Sequence, residues 1–332
     1  MTLRHPDPRP NRALMFTPME QRRQLLVEAA VLADELGYHT VLIPEGWGFD
    51  AGVVLAEIAL KTTRIRIATG ITSIWGRSPA TLAMMAATLD DLSGGRFTLG
   101  LGSSTPTLAE QFHDVAFHRP AARLAHTVSQ VRALLNGERI TPAGGGRGLR
   151  LGVPARPDLP IWVAALGPRA TATAIGAADG WYPALVPLDR IDAVRSTAAA
   201  AAPRDATLIA GPMIAAGANA QRAAEQLIGW YLTGMGPLYP DFLTSLGYHD
   251  EVRAIQAANP RPAPGTLYWP HDADSLIDQL AAIGARHAIA GRLAQWDQRA
   301  DIVAVCVGPD APEAVLAAVE TAAPPTRLTA AS

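Results

Sequence analysis

Residues 65–104, with the sequence IRIATGITSIWGRSPATLAMMAATLDDLSGGRFTLGLGSS, decide the fold. Residues 65–70 and 96–102 are short apolar or β-branched runs bounded by turn residues, which is typical of buried strands. Residues 79–92 between them are apolar at helical spacing, and two glycines follow that helix. The stretch therefore predicts a parallel β-α-β unit whose two strands end at the same edge of a sheet.

Small residues close both predicted strands. Gly70 ends the first strand, and Gly102, Ser103 and Ser104 end the second. Ligands of α/β folds bind at the carboxyl ends of parallel strands, where missing side chains let a flat or phosphorylated ligand approach the backbone. These positions are candidate ligand contacts. The alternative is that the glycines only form tight turns.

Composition narrows the possible function classes. The chain has 332 residues, 49% hydrophobic and 17% charged, which suits one large α/β domain or two ordinary ones. A formal net charge of -2 argues against nucleic-acid binding, which needs a basic surface. No apolar run approaches the roughly 20 residues that span a bilayer, so we expect a soluble, cytoplasmic protein. The single cysteine, Cys306, is expected to be a packed core thiol rather than a nucleophile.

Strand and helix patterns alternate along the chain, as in parallel β-α folds. The predicted strands are residues 13–16, 40–44, 65–70, 96–102, 160–165, 181–186, 208–215 and 302–308. The predicted helices are residues 20–36, 51–62, 79–92, 119–135, 168–178, 189–202 and 219–231. Eight strands favour a single TIM-type (β/α)8 barrel over residues 1–332, with a doubly wound open sheet as the competing architecture. The sequence has neither a Gly-x-Gly-x-x-Gly motif after the first strand nor a Walker lysine motif.

Two stretches interrupt this alternation. Residues 136–158 contain GGGRG and several prolines and form a long loop excursion between strands 4 and 5. Residues 234–274 form an insertion between strands 7 and 8, which we expect near the substrate pocket. Aromatic residues in and beside it suit an apolar pocket wall: Tyr231, Tyr239, Phe242, Tyr248, Tyr268 and Trp269. The alternative is a small helical appendage with its own core, or a dimer surface.

Three segments carry a family resemblance. They are GYHTVLIPEGWGFDAGVVLAEIALKTTRIRIATGI (37–71), GRSPATLAMMAATLDDLSGGRFTLGLGSSTP (76–106) and PIWVAALGPRATATAIGAADGW (160–181). Together they resemble the luciferase-like flavin monooxygenase superfamily, and within it the branch that uses the deazaflavin coenzyme F420. The resemblance spans roughly residues 12–310. Flavin and deazaflavin branches share these motifs, so FMN is the alternative cofactor.

The resemblance implies a barrel with the cofactor ring lying across the carboxyl ends of its strands. A non-proline cis peptide and a bulge support the ring in many members, and the matching bond here is Gly70-Ile71, followed by Thr72. By the same resemblance, Glu45 and Gly46 line one edge of the ring. Gly102, Ser103 and Ser104 lie near the ribityl chain.

The resemblance also implies a phosphate site at the start of a helix. Leu166 and Gly167 end a predicted strand there, and Pro168 and Arg169 begin the helix. Free backbone amides and the helix dipole face an anion at such a place, and Arg169 adds a charge-assisted contact. The alternative is an arginine that only faces solvent. Arg77 precedes another proline-started helix and is a further candidate anion contact.

Catalytic residues are harder to assign. Well-studied dehydrogenases of the family use a histidine after the second strand and a glutamate beyond the fourth, where this chain has Gly46 and Thr105. This difference argues against an alcohol or sugar-phosphate dehydrogenase and permits a reductase with another proton donor. The candidate donors are Glu45, Glu110 and His113. For His113 the alternative is a histidine that only packs in a loop, and for Glu110 it is a solvated carboxylate.

We therefore predict a coenzyme F420-dependent oxidoreductase that transfers hydride to or from a small organic metabolite. Trp47, Trp75 and Tyr239 are its predicted substrate-pocket residues, and no metal site is predicted. The enzyme alternative is an FMN-dependent monooxygenase, and the alternative of another class is a non-catalytic flavin- or deazaflavin-binding protein. The expected partners are a second copy in a homodimer and an F420 or flavin reductase, with neither nucleic acid nor membrane.

Overall fold

Eight parallel strands close into a barrel in the computed structural model. The structure describes residues 10–140, 142, 144–201 and 206–325, without the side chains of residues 168, 169, 173, 174 and 201. The barrel strands are β1 (Arg12–Phe16), β2 (Thr40–Pro44), β3 (Arg66–Ser73), β4 (Phe97–Gly102), β5 (Ile161–Ala164), β6 (Gly180–Tyr182), β7 (Thr207–Ala210) and β10 (Ile302–Val307). Strand β1 pairs with both β2 and β10, which closes the ring. Two short strands, β8 (Met213–Ala215) and β9 (Ala281–Ile283), extend the sheet from the end of β10.

Helices connect the strands and surround the barrel. They are α1 (Arg23–Glu35), α2 (Ala51–Lys61), α3 (Pro79–Leu92), α4 (Pro120–Leu135), α5 (Pro168–Ile175), α6 (Ile191–Ala201), α7 (Ala220–Thr233), α8 (Leu238–Ser245), α9 (His249–Ala258), α10 (Asp274–Leu280), α11 (Arg286–Asp297) and α12 (Pro312–Thr321). A π-helix covers Thr107–Phe112, and 3-10 turns cover Leu188–Arg190 and His271–Ala273. The predicted TIM-type barrel, with insertions after its fourth and seventh strands, is confirmed.

Local sequence explains how the helices begin and end. Helix α3 begins where the Ser78 hydroxyl accepts a hydrogen bond from the Thr81 amide at 3.2 Å, with Pro79 in the first turn. Gly94 and Gly95 follow the helix with φ of +67° and +83°, conformations that glycine adopts at little cost. The helix bounds predicted from these residues are those observed.

The seventh predicted strand is divided in the structure. Strand β7 ends at Ala210 and β8 begins at Met213, with Gly211 and Pro212 between them. A side chain at Gly211 would clash with the Ala304 carbonyl, and proline has no N–H to donate to a neighbouring strand. The prediction of one continuous strand over 208–215 was therefore wrong in this detail.

Three hydrophobic clusters form the core. One fills the barrel interior and includes Met15, Leu42, Trp162 and Ala304, with Tyr182 packed against it. A larger one lies between the strands and the surrounding helices. The third joins the insertion to the barrel and includes Leu243, Val252, Met213 and Cys306. Cys306 is a buried free thiol, as predicted, and burial raises its pKa to about 12.

Asp34, near the end of α1, is hydrogen-bonded to the loop before β3. Its carboxylate accepts hydrogen bonds from the backbone amides of Thr63, Arg64 and Ile65 at 2.9, 3.1 and 2.6 Å. Burial acts to raise the pKa of Asp34, but the three amides and the nearby Arg64 charge outweigh it. The pKa therefore lies below the usual 3.8.

Candidate active site

The carboxyl ends of β2, β3, β4 and β5 meet at one face, here called the barrel mouth. Pro44 pairs with Ile71, Ser73 with Gly102, and Gly102 with Ala164, all in parallel register. Parallel pairing places the ends of neighbouring strands side by side. Most of the ligand contacts predicted from the sequence therefore lie at the barrel mouth.

Strand β3 carries a bulge at the mouth. Its register against β2 shifts between Ile43 and Pro44, and its register against β4 shifts as well. A Cβ atom at Gly70 would lie 2.8 Å from the Pro44 nitrogen, so only glycine fits there. The expected bulge is confirmed, but the expected cis Gly70-Ile71 bond is not, since the described residues contain no cis peptide bond. The bulge by itself redirects the strand, and the peptide keeps the lower-energy trans form.

Glycines 46 and 102 are explained by contacts within the protein. A side chain at Gly102 would clash with the Ile71 Cγ2 atom, and a Cβ at Gly46 would lie 2.9 Å from the Pro18 Cβ. Ile71 therefore covers the face of Gly102 that was expected to be open. Packing accounts for these two glycines without a ligand, and their contact with a cofactor stays a prediction.

The Glu45 carboxylate is held on two sides. The Ser73 amide donates to its Oε2 atom at 3.1 Å, and the Arg77 guanidinium pairs with it at 2.6 Å. Arg77 also binds Asp50 at 2.6 Å, and Asp50 caps α2 by accepting from the Val53 amide. This network fixes the end of β2 against the end of β3 and the start of α2.

Charge pairing shifts the pKa values of Arg77 and Asp50 in this network. Burial acts to lower the pKa of Arg77, but the hydrogen bonds and charges of Glu45 and Asp50 raise it above its usual value. Burial likewise acts to raise the pKa of Asp50, and Arg77 more than offsets this effect. Arg77, a candidate anion contact from the sequence, already has two carboxylate partners. Its role in the structure is to position Glu45.

Unusual backbone conformations concentrate in two loops at the mouth. Among the described residues other than glycine, four have positive φ: Ser104, Asp114, Arg119 and Leu185. The first three lie in the connection from β4 to α4, which also contains the π-helix, and Leu185 follows β6. Such conformations cost on the order of 1–3 kcal/mol each and cluster at ligand and active sites. Ser103 and Ser104 therefore begin a loop that the protein holds at an energetic cost.

Glu110 and His113 occupy different environments within this loop. Glu110 is exposed, and its Oε1 atom accepts a hydrogen bond from the Phe117 amide at 3.0 Å. His113 is half-buried, and its ring covers Gly76, where an added Cβ would lie 2.6 Å from the Cε1 atom. Of the two candidate proton donors, only His113 packs against the segment that follows β3.

The two tryptophans also differ. Trp47 is 40% exposed at the mouth, where it is available to a ligand. Trp75 is 4% exposed; its Nε1 donates to the Ser103 carbonyl at 2.6 Å, and the Arg123 guanidinium lies 4.4 Å from its ring centroid. The structure corrects the expectation that Trp75 lines a pocket. Its ring supports the β4 loop from inside the core.

The predicted phosphate site lies at the β5–α5 junction. Helix α5 begins at Pro168, and the Gly167 carbonyl accepts from the Thr171 amide at 3.0 Å. Gly167 has φ of +79°, which favours glycine, and Leu166 is partly buried beside it. The side chains of Pro168 and Arg169 lie outside the described residues. The backbone thus places a helix amino terminus at the mouth, and the arginine contact stays a prediction.

Three tyrosines and the single cysteine come together above the barrel interior. Tyr182 pairs with Ala164 and packs against the interior cluster. Tyr231 on α7 and Tyr239 on α8 meet edge to face, with ring centroids 4.9 Å apart at 89°, and both pack against the cluster that contains Cys306. Tyr182 interacts electrostatically with Cys306 and Tyr239. The sequence analysis named Tyr231 and Tyr239 but missed Tyr182, although alternation from Gly180 along β6 places it on the inward side.

A flavin or deazaflavin fits the residues at this mouth. Thr72 at the end of the bulged strand is fully buried, and its hydroxyl has no hydrogen-bond partner in the part of the chain that the structure describes. Buried hydroxyls without a partner are uncommon; Thr17 and Thr98 share this state within the described chain, and Thr72 is the one that lies on the bulged strand β3 at the mouth. Glu45, Gly70, Thr72 and Ser103 would face the ring, and the α5 amino terminus would face the phosphate.

Other features of the described chain do not point to a second centre. A groove of about 530 Å³ lies between α7 and α12 and includes Arg222, Trp230 and Asp310, but it contains none of the predicted site residues. No group of three or more His, Cys, Asp or Glu residues within the described ranges is placed to hold a metal ion. In those ranges, no helix has both the length and the hydropathy needed to cross a membrane.

Comparison with known proteins finds relatives in sequence and in fold. A Mycobacterium tuberculosis protein named as a coenzyme F420-dependent oxidoreductase is 36% identical over 174 residues, which are 47% of this chain and 50% of that protein. The chain spans about half the length, or less, of the curated relatives it matches.

Solved structures cover more of the chain. The coenzyme F420-dependent tetrahydromethanopterin reductase of Methanopyrus kandleri aligns with a TM-score of 0.73 at 19% identity, covering 94% of this chain and 98% of that chain. The oxygenating component of 3,6-diketocamphane monooxygenase of Pseudomonas putida, solved with FMN, aligns with a TM-score of 0.63 at 15% identity, covering 94% and 97%. At these identities the alignments show a shared fold. The sequence profile of the luciferase-like monooxygenase family matches residues 8–301, and the chain belongs to that family.

Proposed function

We propose that this protein is an oxidoreductase that binds coenzyme F420 and transfers hydride to or from a small organic metabolite. The observation that carries the proposal is the buried, unpartnered Thr72 hydroxyl at the end of the bulged strand β3. It lies at the strand end where we expect the cofactor ring. The relative named as an F420-dependent oxidoreductase supports the same cofactor.

The described residues have separate roles in this proposal. Bound F420 supplies a hydride-carrying ring carbon, so the protein has to orient the substrate and handle a proton. Arg77 holds Glu45 at the ring edge, and the α5 amino terminus binds the phosphate. His113 is the proposed proton donor, while Glu110 stabilises the loop through the Phe117 amide.

FMN is the second candidate cofactor. The FMN-bound diketocamphane monooxygenase component has the same fold, and another relative is named as a 4-hydroxyprotoasukamycin monooxygenase. An FMN enzyme of this kind would activate oxygen and depend on a reductase for reduced flavin. An F420 enzyme would likewise depend on a reaction that regenerates its cofactor. We retain the expectations of a reductase partner, a homodimer and a cytoplasmic location as part of the proposal.

A spectroscopic titration tests the cofactor assignment. Purified protein is titrated with F420 and, separately, with FMN, and quenching of cofactor fluorescence gives each dissociation constant. We expect F420 to bind at least tenfold more tightly than FMN. Preference for FMN with oxygen consumption would support the monooxygenase alternative, and tight binding without turnover of any tested substrate would support a non-catalytic binding protein. Failure to bind either cofactor would refute the proposal.

Thr72→Val provides a matched variant for the same titration. Valine keeps the shape of the side chain and removes the orphaned hydroxyl. If the hydroxyl bonds to the ring, we expect F420 affinity to fall by about five- to tenfold. Thr98→Val is the control, because its hydroxyl is also buried without a partner in the described chain but lies within β4 rather than at the strand end.

A further inference from the structure

The Tyr182, Tyr231 and Tyr239 side chains are half-buried, and their hydroxyls have no hydrogen-bond partner among the described residues. The hydroxyls do not hydrogen-bond to one another, although Tyr231 and Tyr239 are in ring contact. By contrast, the buried Tyr38 and Tyr248 hydroxyls donate to the Val319 carbonyl and to Asp189, both at 2.7 Å. The three hydroxyls are not fully enclosed, so a ligand can reach them, and three unpaired donors at a single place suit a polar ligand.

The surroundings of these hydroxyls are apolar and uncharged. The Tyr231 and Tyr239 rings pack against the apolar insertion cluster, which includes Met213, Leu227, Ile228 and Cys306, and Tyr182 packs against the barrel interior. Within the described chain, the electrostatic neighbours of the three hydroxyls are one another and the Cys306 thiol. A carboxylate or phosphate bound there would have no counter-charge and would lose its hydration.

Burial also keeps the hydroxyls in their donating form. It raises the pKa of Tyr239 to about 12 and raises the pKa of Tyr182 and Tyr231 well above their usual range, with smaller contributions from the neighbouring thiol and phenols. All three groups are therefore protonated near neutral pH. They can donate hydrogen bonds to an oxygen atom, but they are poor acids, so the proton of the reaction has to come from another group.

Position in the fold connects these hydroxyls to the candidate active site. Tyr182 is one strand away from Ala164, which pairs with Gly102 at the mouth. Tyr231 and Tyr239 come from α7 and α8, on the segment between β8 and β9. The hydroxyls therefore connect the barrel interior with the insertion beside the same mouth where the cofactor is expected.

We propose that Tyr182, Tyr231 and Tyr239 form the polar end of the substrate pocket and bind the oxygen atom of an uncharged, largely apolar carbonyl compound or the corresponding alcohol. This inference rests on the proposed oxidoreductase function, because it gives that function a substrate class. The tyrosines are positioning residues: they orient the carbonyl, and the surrounding apolar side chains bind the rest of the molecule.

Acetophenone labelled with carbon-13 at its carbonyl group is a suitable probe. Its binding to the purified protein is measured by calorimetry, with and without F420, and the carbonyl stretching band of the bound ketone is recorded by infrared spectroscopy. We expect binding with a band shifted to lower frequency than in an apolar solvent, which reports a hydrogen bond to the oxygen. Ethylbenzene has no acceptor and benzoate carries a charge, and we expect both to bind at least tenfold more weakly.

Single and combined Tyr→Phe variants at positions 182, 231 and 239 test which hydroxyls are involved. We expect the combined variant to bind acetophenone at least tenfold more weakly and to lose the infrared shift, with little change in F420 affinity. Tyr268→Phe is the matched control, because Tyr268 is 63% exposed. If the combined variant does not fold by circular dichroism, the single variants decide the result.

The outcomes separate this inference from the proposed function. Tyrosine-dependent ketone binding without F420 or FMN binding would support the pocket and refute the cofactor proposal. F420 binding together with unchanged ketone affinity and band position in the Phe variants would overturn the pocket. Tighter binding of benzoate than of acetophenone would overturn the uncharged substrate class. Absence of ketone binding to the wild type, with and without cofactor, would show that the hydroxyls bind only water and would overturn the inference.

Discussion

Arg77 follows β3 and pairs at 2.6 Å with Glu45, which follows the neighbouring strand β2, so that a residue after the third strand fixes a residue after the second. The same guanidinium binds Asp50 at the start of α2. Glu45 is 8% exposed, and a carboxylate so enclosed needs a partner to remain charged at acceptable cost. Charge pairing therefore joins the ends of β2 and β3 and the start of α2, in addition to the backbone pairing of the strands.

Removal of Arg77 should destabilise this mouth. We expect Arg77→Met to lower the free energy of unfolding by about 1–3 kcal/mol, less than for a fully buried pair because solvent screens part of the network. Urea denaturation measures the change. Arg253→Met is the matched control, since Arg253 pairs with the exposed Asp250 on α9 and should change stability by less than about 0.5 kcal/mol. Equal effects of the two substitutions would contradict the structural role of Arg77.

Asp34 should make stability depend on acid pH. Its pKa is lowered in the folded state, so its contribution is fully present above the unfolded pKa near 3.8 and is lost as pH falls through the lower folded pKa. We expect Asp34→Asn to reduce stability by about 2 kcal/mol near neutral pH, because the side chain can no longer serve all three amides as a charged acceptor. Urea titrations between pH 7 and pH 3 should show the wild-type advantage shrink below pH 3.8. An advantage that grows on acidification would contradict the assignment.

How much of this structure follows from sequence depends on the kind of signal. Barrel strands are apolar runs bounded by turn residues, and this pattern placed β2 at its observed bounds. Apolar residues at helical spacing, followed by two glycines, placed α3 at its observed bounds. Strand β9 has the sequence AAI, which reads equally well as the end of a helix, and its strand state comes from pairing with β8. Local patterns do not contain that tertiary information.

The candidate active site also has features that the sequence predicts and features that it does not. The positions of Glu45, Gly70 and Gly102 at one mouth follow from strand order. The partners of Arg77 do not, because they are 27 and 32 residues away in the chain and depend on loop geometry. Trp75 looks like a pocket residue in sequence, and only packing against Arg123 shows that it belongs to the core. The side-chain alternation that places Tyr182 inward is readable, but the convergence of α7 and α8 on it is not.

Arg169 is expected to contribute to cofactor binding through its charge. If it contacts the phosphate at the start of α5, Arg169→Ala should weaken F420 binding by about 1–3 kcal/mol and leave the thermal unfolding temperature unchanged. The loss should diminish as salt is raised, because screening weakens a charge-charge contact. Arg253→Ala, at an exposed position on α9, is the control. Unchanged affinity at low and moderate salt would refute the contact.

The expected homodimer has a candidate surface on α2 and α3. Leu60 on α2 and Met84 on α3 are 72% and 58% exposed. Val53 on α2 and Leu92 on α3 are also exposed apolar side chains. The two helices are in contact with each other on the outside of the barrel. Exposed apolar patches of this kind mark interaction surfaces. We expect a dimer in sedimentation velocity at micromolar concentration, and Leu60→Glu combined with Met84→Glu should shift it to monomer. Leu149→Glu, at a 75% exposed loop position, should leave the dimer intact. A monomeric wild type would refute the expectation.

His113 is expected to supply the proton that accompanies hydride transfer. Its ring packs against Gly76 beside the end of β3, whereas the Glu110 carboxylate is exposed and accepts the Phe117 amide, a bond that glutamine also accepts. We therefore expect His113→Asn to lower turnover by roughly 10²–10⁴-fold with cofactor affinity unchanged, and Glu110→Gln to have a small effect. His287→Asn on the exposed face of α11 is the control. Turnover is measured with reduced F420 and a panel of ketones beginning with acetophenone.

If His113→Asn and Glu110→Gln both retain normal rates, Glu45 or solvent becomes the donor. Glu45 would then have to exchange its proton while paired with Arg77, so Arg77→Met would change the pH dependence of turnover.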